Sequence, residues 1–351
     1  MAQLARNPKV VKLAKDLGLN WRGDCLATIR EHALKQVEDI KRGSPIEIAN
    51  LDALRLIVAD KFRVKLEFID EDGDVQRIAT QHANFHPLLR QRLVVEFTQG
   101  DTEGLTLERD EWDPRFFRYL AIVDARGERA ARAYFTAWHE LAHLLVHPVQ
   151  LPFPGFRRTT TAERHKDPIE SVVDHVAGRV AFHPPLFEPA LARAMAELGG
   201  LNFDALEAAR VAAAPTASLF ATAMGSIHVA STPAMFVTAD MALKAEERRF
   251  SHGAQQTFDF AAATVQEKLR VTTAAPNDLA TGSSLSIRRN MRVPADSVLA
   301  QAHESSFDVT LSADEDQGWW ETSRGGALPR CPIRVEAARR GRYVYGIISP
   351  I

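Results

Sequence analysis

The chain has 351 residues, which is enough for two or three domains with a hydrophobic core each. Its 43 basic and 45 acidic residues leave a net charge of −2, which argues against a polybasic membrane anchor or a general nucleic-acid coat. The only cysteines are Cys25 and Cys331, in no metal-binding or redox spacing, and no apolar run reaches the ~18–20 residues of a membrane span. These features predict a cytoplasmic protein without membrane segments.

The N-terminal region is predicted to be helical. Apolar residues recur at helical spacing over 9–19 and 24–41, and a Gly-Ser-Pro sequence follows the second run. A docking or capping role is favoured for this pair. DNA binding by a helix-turn-helix is the weaker alternative, because basic residues are interleaved with acidic ones.

The next segment predicts a helix followed by several strands. Asp70–Asp74 is acidic but lacks a full calcium-binding loop, so a solvated turn is favoured. A strand at a sheet edge beside the site could bind an extended substrate by main-chain hydrogen bonds, and the run at 119–124 is the candidate. The predicted elements are a helix at 51–62 and strands at 64–69, 93–97 and 119–124.

The stretch Ala133–His147 contains the pattern His-Glu-x-x-His. Good helix formers, with no Pro or Gly before Pro148, predict a helix. His139 and His143 then lie one turn apart on the same side, where they can occupy two corners of a tetrahedral Zn²⁺ site. Glu140 faces the adjacent side and can act as general base toward a metal-bound water. The pattern therefore predicts a metallohydrolase.

A second predicted helix supplies the third protein ligand that a catalytic zinc needs. Asp167 and Pro168 are typical of a helix N-terminus, so Glu170 falls in the first turn and Asp174 on the same face. Glu170 can complete the metal site, while Asp174 can accept the free ring N–H of a ligating histidine. The alternative for Glu170 is a solvated carboxylate favoured by the helix dipole.

A chance match on a helix with surface histidines is the alternative to the metal site. The apolar surroundings argue against it, because histidine and glutamate are costly to bury without partners. A metzincin would need Gly and His where this chain has Val146 and Val149. His147, a further turn along the helix, is assigned a structural or supporting role.

With these residues the chain resembles the ImmA/IrrE family of zinc metallopeptidases. The resemblance rests on the sequence His-Glu-Leu-Ala-His-Leu-Leu-Val-His, on Phe135 and Thr136 before it, and on Glu170 and Ala177 of the second helix. It extends over roughly residues 50–245.

The resemblance implies a zinc-dependent endopeptidase in which His139, His143 and Glu170 bind zinc and Glu140 is the catalytic base. It also implies a protein substrate, typically a helix-turn-helix transcriptional repressor of the Xre type, whose cleavage relieves repression in a stress response. The alternative is a regulatory protein that contacts a repressor or DNA without proteolysis.

Three side chains are candidates for stabilising the oxyanion of a tetrahedral intermediate, namely Tyr134, His175 and His183. Each of them alone is more often structural. Between the two metal helices, residues 148–168 show no periodicity and predict a lid, with Arg157 and Arg158 available to an acidic substrate segment.

Beyond the second metal helix, further helices are predicted at 186–198 and 203–224, the second resembling the helix-turn-helix-like region of the family. A strand at 234–238 and a charged run after it place a domain boundary near 250. The remaining residues predict a helix at 258–268 and strands at 284–293, 307–311 and 333–348.

The expected fold class is α+β. A helical segment at 1–48 precedes a mainly helical, zincin-like metallopeptidase domain with a small sheet at 49–190. A helical region at 191–250 and a small α+β domain at 251–351 follow, and the latter is a candidate sensor or substrate-recognition domain.

Overall fold

A computed structural model describes residues 2–85, 88–99, 101–109, 113–147, 156–159, 167–244, 266–322 and 325–351. The chain is α+β and divides into two units. The first takes Met1–Ala190 and Ala209–Gly225, and the second takes Leu191–Ala208 and Ser226–Ile351. The His-Glu-x-x-His pattern lies in the first unit.

The first unit begins with helices that carry side-chain caps. Asn7, Asp24 and Asn50 each accept a hydrogen bond from a backbone N–H in the first turn of the helix that follows. The α-helices before the His-Glu-x-x-His pattern are α1 (Ala2–Ala5), α2 (Pro8–Asp16), α3 (Cys25–Arg42), α4 (Leu51–Lys61), α5 (Asp72–Gln81) and α6 (Leu89–Val94), with a π-helical turn at Val95–Gln99.

A four-stranded sheet forms the centre of the first unit, with strand order β1–β3–β2–β4. β1 runs parallel to β3, whereas β2 is antiparallel to both β3 and β4. One face packs against α5 and α6 through a core that includes Leu105 and Leu107 of β2. The strands are β1 (Val64–Ile69), β2 (Thr102–Glu108), β3 (Tyr119–Asp124) and β4 (Phe156–Thr159).

The other face of this sheet packs against α7 (Ala130–Leu145), where Val123 of β3 contacts Ala133 and Ala137. Asp124, at the end of β3, is 1% exposed and accepts hydrogen bonds from Arg126 and Arg129 in the turn that leads into the helix. Burial raises the pKa of Asp124, but the two guanidinium groups outweigh it and hold that pKa below its usual value.

The helix that carries Glu170 is α8 (Pro168–Val180), which packs against α7. Asp167 accepts a hydrogen bond from the backbone N–H of Ile169, and Pro168 occupies the first helical position. The predicted N-terminus is therefore confirmed. Three more helices follow: α9 (Pro184–Leu198), α10 (Phe203–Ala213) and α11 (Leu219–Val229).

The second unit contains a five-stranded antiparallel sheet with strand order β6–β5–β9–β8–β7. Its core includes Trp320, Ile333 and Leu299, all buried. The elements are β5 (Met235–Ala242), β6 (Lys268–Pro276), α12 (Asp278–Thr281), α13 (Val298–Glu304), β7 (Val309–Asp316), β8 (Pro332–Arg340) and β9 (Tyr343–Pro350).

Several predicted elements differ from the observed ones. The segment 93–97 is the end of α6 and a π-helical turn rather than a strand, and the acidic turn is the capped start of α5. The predicted helix at 203–224 is two helices, and 284–293 forms no strand. The predicted helix at 258–268 lies outside the described residues up to 265, and Lys268 begins β6.

The boundary predicted near 250 falls between β5 and β6, which pair with each other in one sheet. Both strands belong to the second unit, and the division into four segments stays a prediction. Cys25 and Cys331 are both free thiols. Among the described residues, no helix combines the length and apolar character that crossing a membrane requires.

Candidate metal centre

Three side chains from α7 and α8 bring donor atoms together. His139 Nε2 lies 3.2 Å from His143 Nε2 and 3.2 Å from Glu170 Oε2, and His143 Nε2 lies 3.6 Å from Glu170 Oε1. The two imidazole rings are nearly perpendicular, with an interplanar angle of 85°. The three residues named from the sequence spacing are therefore brought to one point, which we call the His139–His143–Glu170 cluster.

The separations within this cluster suit a small metal ion. Ligands placed 2.0–2.1 Å from the centre of a tetrahedron lie about 3.3–3.4 Å from one another, close to the observed distances. One donor atom from each of the three residues falls within 4.8 Å of the others. The group could therefore hold a metal ion with three protein ligands.

Asp174 fixes the orientation of one histidine. Its Oδ1 lies 2.9 Å from His139 Nδ1, one turn of α8 beyond Glu170. A proton on Nδ1 is donated to this carboxylate, so the lone pair of Nε2 points toward Glu170 and His143. This is the contact that the sequence spacing predicted for Asp174.

The side chain of Glu140, on α7, points toward the sheet. It is 1% exposed, and its Oε2 accepts a 2.6 Å hydrogen bond from the hydroxyl of Thr106 on β2. Its Oε1 lies against Gly104, two residues earlier on the same strand. Neither Thr106 nor Gly104 was found from the sequence, because the strand that carries them was not predicted. The sequence contained one indication of such a contact, because a glutamate in an apolar helix needs a polar partner when it is buried.

Tyr134, an oxyanion candidate, is placed elsewhere. Its hydroxyl donates to the backbone carbonyl of Ala181, just past the end of α8 and about 16 Å along the helix from Glu170. Burial raises the pKa of Tyr134 well above its usual value, and the Arg55 guanidinium lies 5.4 Å from its ring centroid. The structure therefore does not bring this hydroxyl to the cluster.

The other two candidates also differ in placement. His183 is 2% exposed, and its Nε2 lies 3.0 Å from Oε2 of Glu38 on α3, so it belongs to a separate pair. Burial lowers the pKa of His183 more than Glu38 raises it. His175 is half-buried on α8, about 100° around the helix from Asp174. His147 follows the end of α7 and is also half-buried.

The strand proposed to bind an extended substrate, β3, lies between β1 and β2, so its edges are occupied and that prediction is wrong. The strands at the two edges of this sheet, as far as the structure describes it, are β1 and β4. The predicted lid contains β4, which pairs with β2, and residues 148–155 and 160–166 of it lie outside the described part. The backbone of Arg157 and Arg158 lies in β4.

Compared with protein-family models and with curated protein sequences, the chain gives no match.

Proposed function

We propose that the protein is a zinc-dependent endopeptidase, with His139, His143 and Glu170 as the zinc ligands and Glu140 as the general base. The observation that carries this proposal is the convergence of two imidazole nitrogens and a carboxylate at 3.2–3.6 Å. Glu140, which directly follows His139 on the same helix, is also buried.

The donor set favours zinc over other common metals. Two histidines and one glutamate are a ligand set of catalytic zinc, which leaves the fourth tetrahedral position for water or substrate. Calcium and magnesium take mainly oxygen ligands and higher coordination numbers. When bound, Zn²⁺ would polarise a scissile carbonyl and lower the pKa of water at the open position.

Residues of the chain itself orient the zinc ligands and transfer the proton. Asp174 holds the His139 ring so that Nε2 is the donor atom. Glu140 accepts the proton of the attacking water at its carboxylate and passes it to the leaving amine of the cleaved peptide bond. Both imidazoles are at most 2% exposed, which keeps their donor nitrogens from bulk water.

The substrate class we put forward is a helix-turn-helix repressor of the Xre type in the cytoplasm, as the resemblance to the ImmA/IrrE family implies. Cleavage of such a repressor would relieve transcriptional repression. The competing proposal is a regulatory protein that binds a repressor or DNA and does not hydrolyse it.

Glu140→Gln separates these two proposals. We expect about one zinc per chain, measured by elemental analysis, in both the wild-type protein and the variant, because Glu140 is not a ligand. Cleavage of a proteome-derived peptide library, followed by mass spectrometry of new N-termini, should fall by about 10²–10⁴-fold in the variant. Glu207→Gln, an isosteric change on α10, serves as the control that retains cleavage.

Two results would contradict the proposal. If the wild-type protein binds no zinc even after dialysis against zinc, the three residues do not form a zinc site. If the wild-type protein and Glu140→Gln cleave the library equally, Glu140 is not the general base. The cleavage would then be assigned to another protein in the sample.

A further inference from the structure

Strand β2 passes directly beside the candidate base. The hydroxyl of Thr106 is fully buried and lies 2.6 Å from Glu140 Oε2. This separation is in the range of O–H···O hydrogen bonds to an ionised carboxylate, for which the hydroxyl must be the donor. One oxygen of Glu140 is therefore held by a side chain 34 residues earlier in the sequence.

The second oxygen of the same carboxylate occupies space that is open only because residue 104 has no side chain. A Cβ at Gly104 would overlap Glu140 Oε1 and would lie 2.8 Å from Cγ2 of Thr136. Gly104 is not among the residues with positive φ, so its backbone conformation does not require glycine. The requirement comes from the close approach of the carboxylate to the strand.

The two residues act from one face of β2. Side chains two apart on a strand point to the same side, so Gly104 and Thr106 face α7 while Leu105 and Leu107 face the core shared with α5 and α6. Thr136, one turn before Glu140, is 1% exposed and closes the same space from the helix side. The carboxylate is thus bounded at both oxygens.

We infer that Thr106 and Gly104 are positioning residues for Glu140: the hydroxyl fixes one carboxylate oxygen, and the absent Cβ leaves the space that the other occupies. The role in peptide hydrolysis rests on the proposed function, whereas the placement of the carboxylate does not. Displacing the carboxylate by about 1 Å is expected to lower kcat by about 100-fold, because proton transfer depends on that geometry.

The experiment compares Thr106→Val, Thr106→Ser and Gly104→Ala with two controls. Thr222→Val removes another fully buried hydroxyl of the same unit, which donates to the carbonyl of Ser218. Gly178→Ala adds a Cβ that meets nothing within 4 Å. The measurements are the crystallographic position of the Glu140 carboxylate in zinc-free protein, zinc content, and kcat and KM on a peptide from the library.

We expect the carboxylate to move in Thr106→Val and Gly104→Ala and to stay in Thr106→Ser and both controls. The moving variants should lose kcat at unchanged KM and zinc content, and Thr106→Ser should regain it. A merely structural role would lower the melting temperature without separating kcat from KM.

An unmoved carboxylate in both Thr106→Val and Gly104→Ala, or a moved one with unchanged kcat, would overturn the inference. A moved carboxylate in a protein whose wild type neither binds zinc nor cleaves the library would support the placement and reject the proposed function. The two failures are therefore distinguishable.

Discussion

Four histidines among the described residues are buried, and they fall into two kinds of environment. His82 and His183 each pair one ring nitrogen with a single carboxylate, that of Glu67 at 2.9 Å and that of Glu38 at 3.0 Å. His139 and His143 instead direct their Nε2 atoms toward each other and toward one shared carboxylate.

The difference lies in the number of donor atoms that meet. In each of the two pairs one ring nitrogen meets one carboxylate oxygen, so one donor is matched to one acceptor. Two imidazole nitrogens and a carboxylate that converge within hydrogen-bond range present more acceptors than donors, which is the arrangement a cation stabilises. Burial of a histidine therefore says little about function, whereas the convergence of three donor atoms does.

The largest expected effect is the loss of zinc affinity when the Glu170 carboxylate of the cluster is removed, and removal of the Glu38 carboxylate of a histidine–carboxylate pair is its control. Glu170→Ala should weaken zinc binding by more than about 100-fold, because even supporting residues of metal sites contribute 10–100-fold. Glu38→Ala, at a similarly accessible carboxylate, should leave zinc affinity unchanged. Competition with a chelating dye measures both. Equal weakening by the two variants would break the distinction between cluster and pair.

The next effect concerns the contact between Asp174 and His139. Asp174→Ala frees the His139 ring to rotate, and we expect a 10–100-fold loss of zinc affinity. Asp167→Ala removes the cap of the same helix, so it should cost about 1 kcal/mol of unfolding free energy without changing zinc affinity. If Asp167→Ala weakens zinc as much as Asp174→Ala, helix stability rather than ring orientation is responsible.

The three residues of the His139–His143–Glu170 cluster could be named from the sequence because their spacing is local to two helices. His139, His143 and Glu140 lie within five residues, and the Asp-Pro start of α8 sets the position of Glu170. β1 and β3 were predicted with their observed bounds, since their apolar and β-branched residues are typical of strands.

The strand that holds Glu140 was missed for a physical reason. β2 contains Gly104 and two glutamates, which are uncommon in strands, and its glycine is explained only by the approach of a side chain from α7. The antiparallel pairing of β5 with β6 was missed likewise, because a long segment separates the two strands along the chain. Contacts of this kind leave no local pattern.

A smaller effect is expected at the Glu38–His183 pair, and it depends on pH. Burial raises the pKa of Glu38, but hydrogen bonds from His183 and Lys41 outweigh it and lower that pKa to about 2. Arg42 lies 3.0 Å from the same carboxylate. A lowered pKa in the folded state contributes stability that is complete above the ordinary pKa of about 4.5 and is lost as the pH falls toward 2.

Glu38→Gln should therefore cost about 1–2 kcal/mol of unfolding free energy at pH 7. The difference from the wild-type protein should shrink between pH 4.5 and pH 2. Urea unfolding across this range measures it, with Glu31→Gln on the same helix as the control. A difference that is constant with pH would show that the Glu38 carboxylate is not stabilised in its ionised form.

The smallest effect is expected at Tyr134. Tyr134→Phe removes the hydroxyl that donates to the Ala181 carbonyl, which should cost about 1 kcal/mol of unfolding free energy and leave kcat unchanged. An oxyanion donor would instead lose about 10²–10³-fold in kcat at little cost in stability. Since the hydroxyl is bound about 16 Å along α8 from Glu170, a loss of that size would require the tyrosine to leave this contact during catalysis. Measuring kcat and the melting temperature of one conservative variant therefore decides whether Tyr134 belongs with the buried structural groups or with the cluster.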